Sequence, residues 1–222
     1  MCSVKPTDTG ARQTTESGQI FYPDTPSGHA AATEDMKAAG GGGDKGHPPD
    51  NTPPPTDFTD CSTYSDDKWD TGCSKNFRFS QMKYKPVDGQ GSAPKADLAC
   101  NWQKLCQQCL DPIKAQFPGM AINSGYRTLA YDATLGGTGK GDHTYGKAAD
   151  ISLGGPEGAK QMFKWIRANN IPYSQLIFEN NWVHISLGGG SNAASAVGVT
   201  RTGTAPYQWY AKNATNLPPD LA

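Results

Sequence analysis

Apolar residues recur at threes and fours from Ala96 to Phe117, through Leu98, Trp102, Leu105, Cys106, Cys109, Ile113 and Phe117, a spacing that predicts one long amphipathic helix. Pro118-Gly119 stops it, and Met120 to Ser124 reads as a short strand. Ala148 to Leu153 reads as a second strand. Gly154-Gly155-Pro156 then turns into a helix with a buried stripe of Ala159, Met162, Phe163 and Ile166, ended by Asn169-Asn170-Ile171-Pro172. Gln175 to Glu179 and Trp182 to Leu187 are the two strands of a hairpin joined by Asn180-Asn181, a pair that tolerates left-handed backbone. Upstream, Phe77, Phe79, Met82 and Tyr84 cover one side of the same body. The pattern predicts an α+β domain over residues 77–187, a small antiparallel sheet with helices packed on it.

The flanks read differently. From Cys2 to about Cys73 the chain is dominated by Thr, Ser, Asp, Gly and Pro, with Gly40 to Gly43 and Pro53 to Pro55 as its plainest low-complexity marks. Such a segment buries too little apolar surface to offset its ordering entropy, so residues 1–76 are expected to be an extended arm that only partners would order. Gln19-Ile20-Phe21-Tyr22 is its one cluster able to dock as a short strand or anchor on a partner, unless it is an incidental aromatic pair in a linker. His29 and His47 lie in the arm and read as plain surface residues. Beyond Leu187 a tail, 188–222, runs through Gly, Ser, Ala and Thr to Tyr207, Trp209 and Tyr210, which either clamp back onto the domain or bind a neighbour or glycan.

Composition narrows the classes of function. In 222 residues, 36% hydrophobic content with 26 Gly and 17 Pro fits one compact domain with long extensions. A formal charge of −1 and the lack of a Lys/Arg run leave no electrostatic footprint for nucleic acid, and a neutral or polymeric substrate fits better. No stretch approaches the roughly eighteen consecutive apolar residues of a membrane span. The start, Met1-Cys2-Ser3-Val4-Lys5-Pro6, has neither the cationic region nor the apolar run of a secretory signal, which predicts synthesis in a cytoplasm and delivery by another route.

Six cysteines invite pairing arguments. Cys106-x-x-Cys109 resembles half of a structural zinc site or a redox pair, but no second half follows, and helical spacing places both on the buried face. Cys61 and Cys73 share a loop-rich stretch and could bridge in an oxidising environment, a connectivity that sequence alone leaves open.

The chemistry concentrates in two stretches. Gly141-Asp142-His143-Thr144-Tyr145-Gly146-Lys147-Ala148-Ala149-Asp150 supplies an imidazole and a carboxylate, and Glu179-Asn180-Asn181-Trp182-Val183-His184 supplies a second imidazole and a second acid. His143, Asp150 and His184 are what a catalytic zinc needs, three protein ligands with a fourth position open to water. Glu179 is then the spare acid, placed to take a proton as the water attacks a carbonyl. Residues Leu129 to Lys140 read as a loop rich in glycine from Leu135 on, but it lacks the Gly-Lys-Ser/Thr ending of a nucleotide loop, so it reads as backbone freedom that brings His143 to the metal. Trp182 shares the strand parity of His184 and faces the same side.

His-x6-Asp, then Glu-x-x-Trp-x-His, with Ser124-Gly125-Tyr126-Arg127 upstream, resembles the zinc D-Ala-D-Ala carboxypeptidases of peptidase family M15 and their phage endolysin relatives, over roughly Met82 to Leu187. The resemblance implies the M15 or hedgehog-like zinc peptidase fold, one Zn2+ on His143, Asp150 and His184, and Glu179 as general base and proton donor. It implies that Arg127 pairs with a substrate carboxylate or the developing oxyanion, as an always-charged donor fork can. Ser124, Tyr126 and Trp182 become substrate contacts, with Trp182 shaping the site wall. The chain departs from the usual pattern at Gly141, where Ser is common, and at Asp132, where Asn often follows Tyr. The implied substrate is bacterial peptidoglycan. The flanking extensions suggest a phage setting, a tail or baseplate component that opens the wall or a lysin released at lysis, with a structural virion protein that kept the fold as the rival class.

Overall fold

The computed structural model describes residues 50–188, 196–200 and 207–222, and the backbone of a short antiparallel pairing between Gln13–Thr14 and Ile20–Phe21. That pairing gives the Gln19 to Tyr22 cluster a two-residue strand. Most of the arm, with Cys2, Gly40 to Gly43, His29 and His47, lies outside the described residues.

Pro94 precedes the long helix and Asp97 suits its first turn, yet the helix is not uniform. α1 spans Lys95–Leu105, a wider π turn follows over Cys106–Leu110, and α2 continues over Asp111–Gln116. Pro112 accounts for the widening, because it has no N–H to give and its ring crowds the carbonyl four residues back. The Asp111 N–H bonds five residues back to the Cys106 carbonyl, passing over the Gln107 carbonyl that an α-helix would offer it. The buried stripe survives, with Leu98, Trp102, Leu105, Cys106, Cys109 and Ile113 all in the core. The two cysteines are thus packing residues, and the Cys109 thiol donates to the Pro172 carbonyl at 3.1 Å.

The sheet has six strands: β1 Ala121–Ser124, β2 Ala148–Ser152, β3 Gln175–Glu179, β4 Val183–Ser186, β5 Ala196–Thr200 and β6 Gln208–Ala211. Their spatial order is β1-β2-β4-β3-β5-β6, antiparallel throughout except for the parallel pair β3–β5. Leu129–Thr134, expected as the start of the loop, is instead a short helix, α3, because the Thr128 hydroxyl caps it by accepting from the Tyr131 N–H at 3.1 Å; α4 is Pro156–Ala168. α4 buries Ala159, Met162, Phe163 and Ile166, the stripe its spacing predicts, and Phe163 meets Phe178 of β3 edge-on at 5.9 Å between ring centres. Ile151, Phe178, Val183, Ile185, Val197 and Val199 turn to that core. The hairpin turn is as expected, with Asn180 at φ 60°. This α+β architecture is the one the sequence pattern predicts, and it extends past the family-like segment. Among the described residues no helix is long and apolar enough to cross a membrane.

Both flanks pack onto this body. Residues 50–76 wrap α1 and α2: Trp69 and Cys73 are buried, and the Asp111 carboxylate accepts from the backbone N–H of Lys75 and Asn76 at 3.2 and 3.0 Å. From the other end, Leu217 and Leu221 enter the core, and the Arg167 guanidinium donates to the Ala214 carbonyl at 2.9 Å. The tail therefore docks on its own domain, through β5 and β6 as well as these two leucines.

Cys61 and Cys73 do not bridge each other. Cys61 pairs with Cys100 of α1, while Cys73 is buried and its thiol donates to the Phe77 carbonyl at 3.4 Å. Proximity along the chain misleads here because the turn at Cys61–Thr63 is laid against α1, where the Gln103 side chain accepts from the Cys61 N–H. The Cys61–Cys100 bridge closes a separation of 39 residues, and removing it as Cys61→Ser with Cys100→Ser is expected to cost about 2–4 kcal/mol of unfolding free energy. Denaturant titration of the double variant measures this, and peptide mapping without reductant should recover Cys61 joined to Cys100 with Cys73 as a free thiol.

Candidate active site

Register builds the site. Ser124 pairs with Asp150, Asp150 with His184, His184 with Ile177, Ile177 with Gly198 and Gly198 with Trp209, so one row of Cα partners crosses all six strands. Cross-strand partners put their side chains on the same face, and the row therefore gathers the acid and one imidazole. Ser124 joins it only because the β1–β2 register shifts between Ile122 and Ser124. Ile122 pairs with Ile151 in the core, and the irregularity at Asn123 turns the next strand residue to the opposite face.

His143 comes from outside the sheet, on a short 3-10 turn over Asp142–Tyr145. Gly146 closes the turn at φ 68°, and the Leu98 carbonyl would lie 2.7 Å from any Cβ placed there, so only glycine fits. Two contacts tie the turn to the sheet: the Ser186 hydroxyl donates to Asp142 at 2.6 Å, and the Arg127 N–H donates to the His143 carbonyl at 3.1 Å. The glycine-rich loop before it is held by side chains, with the Gly139 N–H donating to the Asp132 carboxylate at 3.0 Å and Thr144 donating to the Gly141 carbonyl at 2.9 Å. Asp132 thus supports the loop that delivers His143.

The three candidate ligands meet. His143 Nε2 lies 3.2 Å from His184 Nδ1 and 3.3 Å from Asp150 Oδ1, and His184 Nδ1 lies 2.9 Å from the same oxygen. A tetrahedral ion with bonds of about 2.0–2.1 Å to such atoms requires ligand separations of about 3.3 Å, so the triangle matches one face of that tetrahedron. The rest of each ring agrees. His143 Nδ1 donates to the Gly125 carbonyl at 2.6 Å, which fixes the tautomer and leaves Nε2 with a lone pair. Gly125 can come that close because it has no side chain: a Cβ would lie 2.9 Å from the Met82 carbonyl and from the Trp102 ring. His184 turns Nδ1 inward, and its buried Nε2 has no hydrogen-bond partner among the described residues. The donor set, two imidazoles and a carboxylate, suits zinc.

Charge is balanced around Asp150. Its Oδ2 accepts from Arg127 Nη2 at 2.7 Å, which leaves Oδ1 for the histidines. Burial alone would raise this carboxyl, but His143 and Arg127 outweigh it and hold it well below the usual carboxylate range. Burial, then the Arg127 charge, lowers His143, which favours the neutral ring that a metal binds. His184 moves the other way, since the hydrogen bond and charge of Asp150 overcome its burial and raise it.

Glu179 closes β3 beside this cluster, only 7% exposed. Burial first, then the charge of Asp150, pushes its carboxyl up to about 7. Its N–H donates to the Trp182 carbonyl at 2.9 Å, and the Trp182 side chain hydrogen-bonds to the carboxylate. Trp182 is half-buried just before β4 and flanks the acid. The other expected substrate contacts sit differently. Ser124 accepts from Arg127 Nε at 3.1 Å and so aims the guanidinium, while Tyr126 is fully buried in the core, where its ring lies against Gly91. Sequence reasoning missed one partner: the Tyr207 hydroxyl, from the tail, lies 3.4 Å from Glu179 Oε1. The alternation Tyr207-Gln208-Trp209 was the available signal for a strand with both rings on one face.

Two outcomes follow from this geometry. Asp150→Asn removes the one ligand charge, and its affinity for zinc, measured by competition with a chromophoric chelator, is expected to fall by about 100-fold or more. In metal-free protein the Glu179 pKa stands above its ordinary 4.5, so folding takes up a proton there. The stability tied to the neutral acid is full below about pH 4.5 and is lost as the pH rises through about 7. Relative to wild type with chelator present, Glu179→Gln should escape up to about 3 kcal/mol of that loss, read from denaturant titrations across the interval.

Comparison with known proteins agrees with the geometry. No curated protein sequence matches the chain. A family model described as Peptidase M15 matches residues 75–186, which is half of the chain and contains Arg127, His143, Asp150, Glu179 and His184. By that match and by the cluster it encloses, the chain belongs to peptidase family M15, a family of metallopeptidases.

Proposed function

We propose that this chain is a zinc-dependent hydrolase of peptidoglycan that cuts an amide in the stem peptide or cross-link, in the manner of a D-Ala-D-Ala carboxypeptidase or endopeptidase. One observation carries the reading: three ligand atoms form a triangle 2.9–3.3 Å on a side, with a buried acid of raised pKa next to it. His143, Asp150 and His184 would hold the ion. The ion supplies Lewis acidity, which acidifies water and polarises a carbonyl.

The chain's own residues do the rest. Glu179 is the general base: its carboxylate takes the proton of the attacking water and then passes it to the leaving amine nitrogen. Burial raises this carboxyl in the metal-free site, a placement that suits an acid holding and releasing a proton in turn. Burial of the site keeps bulk water away from that exchange. Arg127 has two tasks. Through Nη2 it fixes Asp150, and its remaining N–H groups are the donors available to a substrate carboxylate or to the oxyanion that forms at the scissile carbon.

The setting proposed with this activity is a phage protein, either a tail or baseplate component or a lysin released at lysis. It is supported by the long low-complexity arm in front of a peptidase domain. Mass spectrometry of purified virions separates the two. The rival reading, a structural virion protein with a peptidase fold, has less support because each of the three ligands and the acid is present.

Purified protein incubated with peptidoglycan should release peptides, stop when chelator is added, and resume with zinc. Glu179→Ala is expected to lower the rate by about 10²–10⁴. Release that persists unchanged in that variant defeats the mechanism, and no release by wild type under any metal favours the structural role. Fragment masses identify the bond cut.

A further inference from the structure

The tail strands carry the catalytic face beyond the segment matched by the family. Thr200 of β5 is the Cα partner of Glu179, and Val199 is the partner of Gln208. One more step of the antiparallel β5–β6 register sets Tyr207 across from Thr200, so Glu179, Thr200 and Tyr207 form a second row beside the one that carries Asp150 and His184. Tyr207 is half-buried, and its ring lies 5.6 Å from that of Trp209. Trp209 in turn lies over Gly198, where a Cβ would meet the indole at 3.1 Å and Ile177 at 2.9 Å. The missing side chain lets the aromatic pair settle on the sheet and aims the phenol at the acid.

We propose that Tyr207 is a positioning residue for Glu179, its hydroxyl donating to Oε1 and so fixing the carboxylate in one orientation. The proposal rests on Glu179 being the general base. It gives the two carboxyl oxygens separate tasks. A phenol that donates to Oε1 directs the transferred proton to the other oxygen, which is then the one offered to water and to the leaving nitrogen. The separation of 3.4 Å is long for such a bond, but an O–H donor to an ionised carboxylate closes to about 2.5–2.7 Å, so the contact tightens once Glu179 has lost its proton. The burial and the Glu179 charge that raise the Tyr207 pKa keep the phenol protonated and able to donate.

Tyr207→Phe tests this, because it removes the oxygen and keeps the ring. In zinc-loaded protein acting on a soluble stem peptide, kcat should fall about 10- to 100-fold with KM and zinc content unchanged, the loss expected for a hydrogen bond to a charged group. Combined with Glu179→Gln, the same substitution should add nothing further. A second readout needs no activity: the side-chain carboxyl 13C resonance of Glu179, assigned by its disappearance in Glu179→Gln, should shift in Tyr207→Phe. An active wild type whose Tyr207→Phe keeps its kcat and its Glu179 resonance overturns this inference alone. A zinc-bound wild type that cleaves nothing overturns the hydrolase reading and any catalytic role for Tyr207 with it.

Discussion

A carboxylate taken out of water must be paid for by its neighbours, and Asp150 is compensated from two sides. Arg127 takes Oδ2 at 2.7 Å, and the two imidazoles converge on Oδ1 at 2.9 and 3.3 Å. Remove the guanidinium and the acid would either protonate, losing its value as a ligand, or rotate and spread its oxygens. The division of the two oxygens therefore decides the rest of the site: it holds a single lone-pair direction towards the histidines, and it consumes one N–H of an arginine that would otherwise be wholly available to substrate. Ser124 completes the arrangement by accepting from Arg127 Nε, so a small hydroxyl at the end of β1 aims the guanidinium.

The sheet makes this pairing rigid. Ser124, Asp150 and His184 are successive Cα partners across three strands, so their spacing is fixed by backbone hydrogen bonds and not by side-chain choice. A one-residue slip of β2 would send Asp150 into the core and bring Ile151 to the surface, an error that the apolar partners Ile122 and Val183 oppose. The register shift in β1 serves the same end from the other direction, since without it Ile122 and Ser124 could not face opposite sides. His143 alone arrives on a turn. It is secured by its ring's bond to Gly125, by its own carbonyl, and by Asp142 on Ser186, so the least regular ligand has the most local ties.

How much of this was legible in the sequence depended on whether the signal was local. The stripe of α4 and the hairpin turn at Asn180 are written in residue types a few positions apart, whereas the two histidines and the aspartate, 41 residues from first to last, were grouped through the resemblance of their motifs. The π turn was present as Pro112, but a helical apolar repeat hides one wide turn because the buried face is kept. Pairings across the fold were not legible. Cys61 finds Cys100 through the docking of a 3-10 turn on α1, and Cys73 is withdrawn by its bond to Phe77. Tyr126 looked like a site residue because it lies between Gly125 and Arg127, both of which do serve the site. The next side chain along an extended backbone points the other way, and the core took it.

The parallel strand β5 was the hardest element to read, because Ala196-Val197-Gly198-Val199-Thr200 is short, follows a low-complexity stretch and pairs with a strand seventeen or more residues earlier. Its consequences reach the chemistry. Without β5, β3 would be an edge strand, and Glu179 at its end would keep one side open to water. A solvated glutamate has an ordinary pKa, so at neutral pH it is ionised but a weak base that seldom holds a proton. With Thr200 paired beside it and Tyr207 beyond, Glu179 is 7% exposed and its pKa rises to about 7. The family segment thus supplies the acid and, in Asp150, one of the causes that raise it, while the tail adds the strand and the phenol that lie beside it.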